Sequence, residues 1–121
     1  MNPIAEITER LSLNTQERGA IVALLQAAES LATKAGFGLD DDARLGLGAH
    51  LGHLLRRLAS GERVEGVDAS MFEEVPAQLR AMASELLAPC FAQVDLPVDP
   101  VEIGLVALHF GAAQERTALS A

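Results

Sequence analysis

The chain is poor in aromatic and basic residues and holds a single cysteine. Only 3% of its 121 residues are aromatic, so a core must be built from aliphatic side chains. Nine basic residues stand against seventeen acidic ones, which gives a net charge of −8. Binding to nucleic acid or to an anionic membrane requires a basic face, so both are disfavoured as partners. The lone Cys90 excludes an internal disulfide, favours the cytoplasm and is expected in the core.

Long apolar runs and a leader-like beginning are also missing. No stretch is long enough to span a bilayer. The opening "MNPIAEITER" has neither the basic start nor the apolar stretch of a signal peptide. Half of the residues are hydrophobic, which at this length predicts one domain around one core.

Apolar residues recur with helical spacing almost throughout, and no segment alternates as a strand does. The predicted segments are a short turn after Asn2 and Pro3, a long helix capped by Asn14 and ended by glycines at 36–38, a second long helix from 39–43 to Gly61, a short helix over 69–75, a fourth helix from Pro76 to a break at 88–90, and a last helix from Asp99 onward. The pattern predicts an all-α antiparallel bundle. Residues 1–13 are expected to be an N-terminal extension, and 14–118 a single domain.

The last helix, "DPVEIGLVALHFGAAQER" at residues 99–116, carries a histidine within an apolar segment. Asp99 and Pro100 begin the helix, and Glu102 is placed to complete a capping box. Apolar residues cover nearly all sides, which is typical of a central, buried helix. His109 lies two turns after Glu102.

A second histidine has a similar setting in "LGAHLGHLLRRL", residues 47–58. His50 borders the leucine face, and Arg57 returns to the same edge about 10 Å further along the helix. Each helix therefore holds a histidine at the edge of its apolar face and a charged residue two turns away. His53 lies further round, on the polar side.

These two signatures resemble the phosphotransferase-system regulation domain, or PRD, a five-helix module of bacterial antiterminators and transcription activators that govern carbohydrate use. The first is similar to the family's "HL…R" pattern, here His50, Leu51 and Arg57. The second is similar to "E…LH", here Glu102, Leu108 and His109, after the lead-in "VDLPVDPVE". The resemblance covers roughly residues 15–116.

The resemblance implies that His50 and His109 accept phosphate from phosphotransferase-system proteins, either HPr or an enzyme II component. It also implies antiparallel packing of their helices, a homodimer, action through a separate regulator protein, and no catalytic turnover, metal or cofactor. Arg57 is expected to pair with the phosphate because guanidinium groups bind phosphate well. Glu102 would orient an imidazole and restrain the unmodified state.

The glycines at 46, 48 and 52 are expected where another helix packs close, and those at 48, 52, 104 and 111 are expected to let the two histidine-bearing helices approach closely. Two departures from the family pattern stand out. Ala49 occupies a position that is acidic in many members. Only about a dozen residues precede the domain, so a stand-alone module without direct nucleic-acid output is expected.

Several alternatives stay open from the sequence. One is an interaction or dimerisation module with the PRD fold and no phosphate exchange. Another is a metal or small-ligand site built from His50, His53, His109 and Glu102, although two histidines three residues apart are a weak signal for zinc. The histidines would otherwise be structural, with Arg57 capping its own helix end. No serine or cysteine is spaced with the histidines as a hydrolase triad requires.

Overall fold

The computed structural model describes residues 2–120, which form five α-helices and one 3₁₀ helix and contain no strand. The helices are α1 (Pro3–Leu11), α2 (Thr15–Lys34), α3 (Asp41–Ser60), α4 (Ala77–Ala92) and α5 (Pro100–Ser120), and the 3₁₀ helix (Ala69–Phe72) lies between α3 and α4. The predicted all-α, five-helix architecture is confirmed. No helix in this described range is long and apolar enough to cross a membrane.

Local signals fix most of the helix boundaries. Asn14 accepts a hydrogen bond from the Glu17 amide at 2.8 Å, and Glu17 accepts one from the Asn14 amide, which completes a capping box. Asp40 caps α3 through the amide of Ala43. Gly61 ends α3 with φ of 79°, a left-handed conformation that glycine adopts without steric cost. These starts and stops were predicted from the sequence.

Three local predictions are wrong. The expected opening turn is the nine-residue helix α1, whose Ile7 is buried, so packing stabilises a helix too short to persist alone. The short helix predicted over 69–75 is a 3₁₀ helix that ends at Phe72. The chain does not break at 88–90, because Pro89 lies inside α4, close enough to the end for the helix to continue to Ala92.

α3 is the central helix, since it packs against α1, α2 and α5. On the α1 side, an added Cβ at Gly48 would lie 2.4 Å from Ile7, and one at Gly52 would lie 2.7 Å from Leu11. These glycines therefore admit α1. The prediction that they bring α3 close to α5 is wrong.

The two glycines of α5 do not face α3 either. An added Cβ at Gly104 would lie 2.2 Å from the ring of Phe72, so this glycine admits the 3₁₀ helix. At Gly111 the neighbour is Leu79 of α4, at an ordinary contact distance of 3.6 Å.

α5 is less enclosed than its composition predicted. Val106, Ala107, Phe110 and Ala113 are buried, but Leu108 is 49% exposed. An exposed apolar side chain therefore remains on the outer side of the helix that carries His109.

Candidate functional site

α3 and α5 pack against each other in antiparallel orientation, as contacts at both ends of the interface show. Near the start of α3, Asp40 accepts two hydrogen bonds from Arg116 of α5, at 2.9 and 2.5 Å. Near the end of α3, Arg57 contacts Glu102 in the first turn of α5. The antiparallel arrangement places both predicted signatures in one interface, with the histidine of each helix opposite the histidine of the other.

Arg57 and Glu102 form the strongest polar contact of this interface. Nη2 of Arg57 donates to both carboxylate oxygens of Glu102, at 3.0 Å to Oε1 and 2.7 Å to Oε2. Glu102 is only 4% exposed, and among the described residues it is the charged residue that is buried. A carboxylate in this setting must be paired, because an isolated buried charge is costly.

His50 approaches the same carboxylate without forming a hydrogen bond. Its Nε2 lies 3.6 Å from Oε1 of Glu102, which is beyond hydrogen-bonding distance. Nε2 of His50 and Nε of Arg57 are buried and have no hydrogen-bond partner among the described residues. Most buried polar atoms in proteins are paired, so two unpaired nitrogens in one cluster mark an incompletely satisfied site.

His109 lies beside His50 but away from the charged pair. The two ring centroids are 5.5 Å apart, with 38° between the ring planes. On its other side the His109 ring faces Gly46, where an added Cβ would lie 3.5 Å from Nδ1 and Cε1. The side chain of His109 forms no hydrogen bond with residues 2–120.

Burial and charge shift the acid–base equilibria of this cluster. Burial acts to raise the pKa of Glu102, but the contacts with His50 and Arg57 outweigh it, and the pKa lies below the usual value. Burial, and then the neighbouring charge of His50, lower the pKa of His109. Glu102 is therefore ionised and His109 is neutral at physiological pH.

A small cavity of about 40 Å³ adjoins the Arg57–Glu102 pair. The loop residues 61–63, together with Phe91 and Leu96, complete its wall. Such a volume accommodates a few water molecules and excludes a metabolite. The cluster itself is a polar interface between two helices, with this cavity at its Arg57–Glu102 end.

The structure brings together the four predicted site residues, which are His50, Arg57, Glu102 and His109. The contacts of Glu102 and Arg57 differ from two of the expectations. Glu102 does not turn back to complete a capping box, because its carboxylate binds Arg57; Asp99 alone caps the helix, through the amide of Val101 at 2.9 Å. Arg57 likewise binds Glu102 in place of capping its own helix end. Gly46 was expected to face a neighbouring helix, and only the cross-helix geometry shows that it makes room for His109.

His53 lies outside the cluster, on the exposed face of α3. The described residues hold no group of three or more histidine, cysteine or acidic side chains arranged for a metal ion. His53 is exposed on α3 whereas Glu102 is buried in the interface, so the described residues give no support to the alternative of a metal site from His50, His53, His109 and Glu102. Cys90 is buried, as predicted, and burial raises the pKa of its thiol.

Comparison with known proteins assigns the fold to a family. A family model for the PRD domain matches residues 25–113. The chain belongs to the PRD family. The match includes all four residues of the interface cluster, and PRD domains are regulatory modules, so the chain has a regulatory role.

A solved structure extends the likeness to the whole PRD. The crystal structure of a PRD-containing transcription regulator from Lactobacillus casei ATCC 334 superposes with a TM-score of 0.74 at 26% identity, over 93% of this chain and 95% of that one. A search of curated proteins found no match. The structural match covers a larger share of the chain than the family model does.

Proposed function

We propose that this PRD is a phosphorylation-responsive regulatory module in which His50 and His109 accept phosphoryl groups from phosphotransferase-system proteins, either HPr or an enzyme II component. The modification would alter contacts within a homodimer or with a separate regulator protein and so modulate carbohydrate-linked gene regulation. The module acts in the cytoplasm and performs no catalytic turnover.

The observation that supports this proposal is the four-residue cluster between α3 and α5. Two histidines with ring centroids 5.5 Å apart lie next to an arginine and a buried carboxylate. A purely structural interface would gain more from apolar side chains, since buried ion pairs contribute little net stability. The unpaired nitrogens of His50 and Arg57 indicate a cluster whose unmodified state is not its best-satisfied state.

The chemistry suits a neutral imidazole. The lone pair of a histidine nitrogen attacks the phosphorus atom of a donor phosphohistidine and forms a new P–N bond. The P–N bond within the donor breaks, and the electron pair of that bond returns to the donor's ring nitrogen. His109 is prepared for this step because its lowered pKa keeps the lone pair free near neutral pH.

Arg57 and Glu102 give the added charge its effect. A phosphoryl group brings about one and a half to two negative charges and three acceptor oxygens. Arg57 is the cation of the cluster, and a guanidinium binds phosphate strongly. Glu102 repels the new charge, so the phosphoryl group and Glu102 compete for Arg57 and the contact between α3 and α5 changes.

An apolar surface next to the histidines supports the homodimer. Leu108 precedes His109 in the chain and is 49% exposed. A partner surface that covers Leu108 would place the modified histidine at the edge of the contact. New charge at such an edge either recruits a cation or repels an acidic partner.

Phosphotransfer in vitro tests the proposal. The protein is mixed with phosphoenolpyruvate, enzyme I and HPr, with and without enzyme II components, and its intact mass is read at neutral or alkaline pH because phosphohistidine is acid-labile. We expect phosphorylation that falls in His50→Ala and in His109→Ala. The exposed His53→Ala is the matched control and retains the wild-type level.

Failure of every donor to phosphorylate folded protein would overturn the proposal. The chain would then serve as a phosphorylation-independent dimerisation or interaction module with the PRD fold. Ala49 and the exposed Leu108 favour this second function, since the first removes a family carboxylate beside His50 and the second offers an apolar contact.

A further inference from the structure

The two histidines of the cluster have unequal surroundings. His50 directs Nε2 at Glu102, and this nitrogen is fully buried. His109 faces Gly46 and the ring of His50, and it contacts no carboxylate among the described residues. A phosphoryl donor must approach the attacking nitrogen along its lone pair, so access to that direction decides which nitrogen reacts.

The line of approach to Nε2 of His50 is occupied. Oε1 of Glu102 lies 3.6 Å from this nitrogen. A phosphorus atom with its three oxygens does not fit into that gap, and the carboxylate repels the anionic group as well. Transfer to Nε2 therefore requires Glu102 to leave.

Glu102 is held firmly in this position. Both of its oxygens accept hydrogen bonds from Nη2 of Arg57, and such charge-assisted bonds are stronger than neutral ones. Two residues further along α5, Gly104 is packed directly against the ring of Phe72. The first turn of α5 is thus fixed on both sides, and displacement of Glu102 breaks an ion pair in a tightly packed region.

We propose that Glu102, held by Arg57, closes Nε2 of His50 to phosphoryl donors, so that phosphate enters at His109 before it enters at Nε2 of His50. Glu102 is then a positioning residue that sets the order of modification. The inference deepens the proposed function and rests on it for the biological donor, but the order itself follows from the geometry of the cluster.

A small chemical donor tests the order without any phosphotransferase-system protein. Phosphoramidate transfers its phosphoryl group to imidazole: the P–N bond of the reagent breaks, ammonia leaves with its proton, and a new P–N bond forms at histidine. Peptide mapping reports the rate at each histidine, and NMR distinguishes phosphate on Nδ1 from phosphate on Nε2. The exposed His53 is an internal reference on the same helix as His50.

In the wild type we expect phosphate on His53 and His109 well before any on Nε2 of His50. Glu102→Ala opens the gap, so the rate at Nε2 of His50, divided by that at His53, should rise by about tenfold or more. Glu102→Gln keeps the shape but removes the charge, and its ratio should fall between those of the other two. Ser70→Ala, in the 3₁₀ helix, is the control variant and leaves the ratio unchanged.

Removal of Glu102 leaves the Arg57 guanidinium without its partner, which destabilises the fold. A second variant therefore tests the same opening without the unpaired charge. Arg57→Met/Glu102→Ala removes both charges and opens the same gap, and circular dichroism in the reaction buffer confirms the native fold. Equal wild-type rates at Nε2 of His50 and at His109 would overturn the inference. So would an unchanged ratio for Nε2 of His50 in both opened variants.

The two proposals fail separately. If phosphoramidate gives the expected order but no protein donor transfers phosphate, the closure by Glu102 stands and the proposed function falls. If HPr or an enzyme II component phosphorylates Nε2 of His50 before His109, the proposed function stands and the closure falls.

Discussion

The two sides of α3 are built on different principles. Towards α1 it presents Gly48 and Gly52, which admit Ile7 and Leu11 into close apolar contact. Towards α5 it presents His50 and Arg57, which meet a buried carboxylate and a second histidine. One helix thus carries a tightly packed apolar face and an incompletely satisfied polar face.

The difference separates residues that hold the fold from residues to which we assign the proposed regulation. Close apolar packing contributes free energy in proportion to the area removed from water. A buried ion pair contributes little or nothing relative to apolar residues of the same shape. The α1 side therefore supplies stability, and the α5 side holds the polar side chains whose modification changes the interface in the proposed function.

The largest expected effect comes from the apolar side. Ile7→Ala removes a side chain that is 1% exposed and leaves a space against Gly48, which should cost about 3 kcal/mol of unfolding free energy. Urea denaturation measures this loss, with Leu119→Ala, 81% exposed, as a control that should change little. The folded Ile7 variant should keep the wild-type order of histidine phosphorylation. A changed order would show that the two faces are not independent.

On the polar side, Glu102→Ala should lower the free energy of unfolding by about 2 kcal/mol. This is less than the loss expected from breaking a fully buried ion pair, because the Arg57 side chain is 21% exposed. The loss arises from leaving the arginine without its carboxylate. Arg57→Met/Glu102→Ala should recover much of it, since an apolar side chain replaces the stranded charge. A double-mutant cycle by urea denaturation tests this, and a double variant less stable than Glu102→Ala would contradict the account.

A smaller effect depends on pH. Burial and the nearby His50 lower the pKa of His109 in the folded state, so the unfolded chain binds this proton more readily. The stability that neutral His109 contributes is present above the pKa of the unfolded chain, near 6.5. It is lost as the pH falls through the lower pKa of the folded state. His109→Gln should therefore reduce the fall in melting temperature between neutral and mildly acidic pH.

The control for this prediction is His53→Gln on the exposed face of the same bundle, which should keep the wild-type dependence. The other titratable groups facing His109 are His50 and, beyond it, Glu102. A steeper acid loss in His109→Gln than in the wild type would contradict the sign derived above.

The smallest expected effect is at Gly46, the glycine that faces His109. A methyl group there meets the imidazole at an ordinary contact distance of 3.5 Å. Alanine also favours a helix over glycine by about 1 kcal/mol. Gly46→Ala should therefore raise the melting temperature slightly or leave it unchanged. A marked loss of stability would contradict this expectation, because it would show that the His109 ring cannot move away from an added methyl group.

Much of the fold could be predicted from the sequence because its signals are local. The capping box at Asn14 and Glu17 and the glycine at 61 act within one turn, and the structure confirms them. α1 could not be predicted in the same way, since nine residues are too few to be helical alone and Ile7 is fixed by α3. The continuation of α4 through Pro89 likewise depends on packing.

For the site, the spacing within each helix gave the four residues but not their partners. A glutamate three residues after Asp99 fits a capping box as well as it fits an ion pair across the interface. The choice is settled by Arg57, which is 45 residues away in the chain and binds Glu102 at 2.7 Å. Glycine spacing was similarly uninformative about which helix approaches, and Gly48 turned out to face α1.

The measurement that tests the central claim most directly is phosphotransfer from the complete phosphotransferase system to His50→Ala/His109→Ala, compared with His53→Ala by intact mass at alkaline pH. The account predicts no phosphate on the double variant, which keeps His53, and a wild-type level on His53→Ala. Phosphate on the folded double variant, or none on the folded wild type, would contradict it.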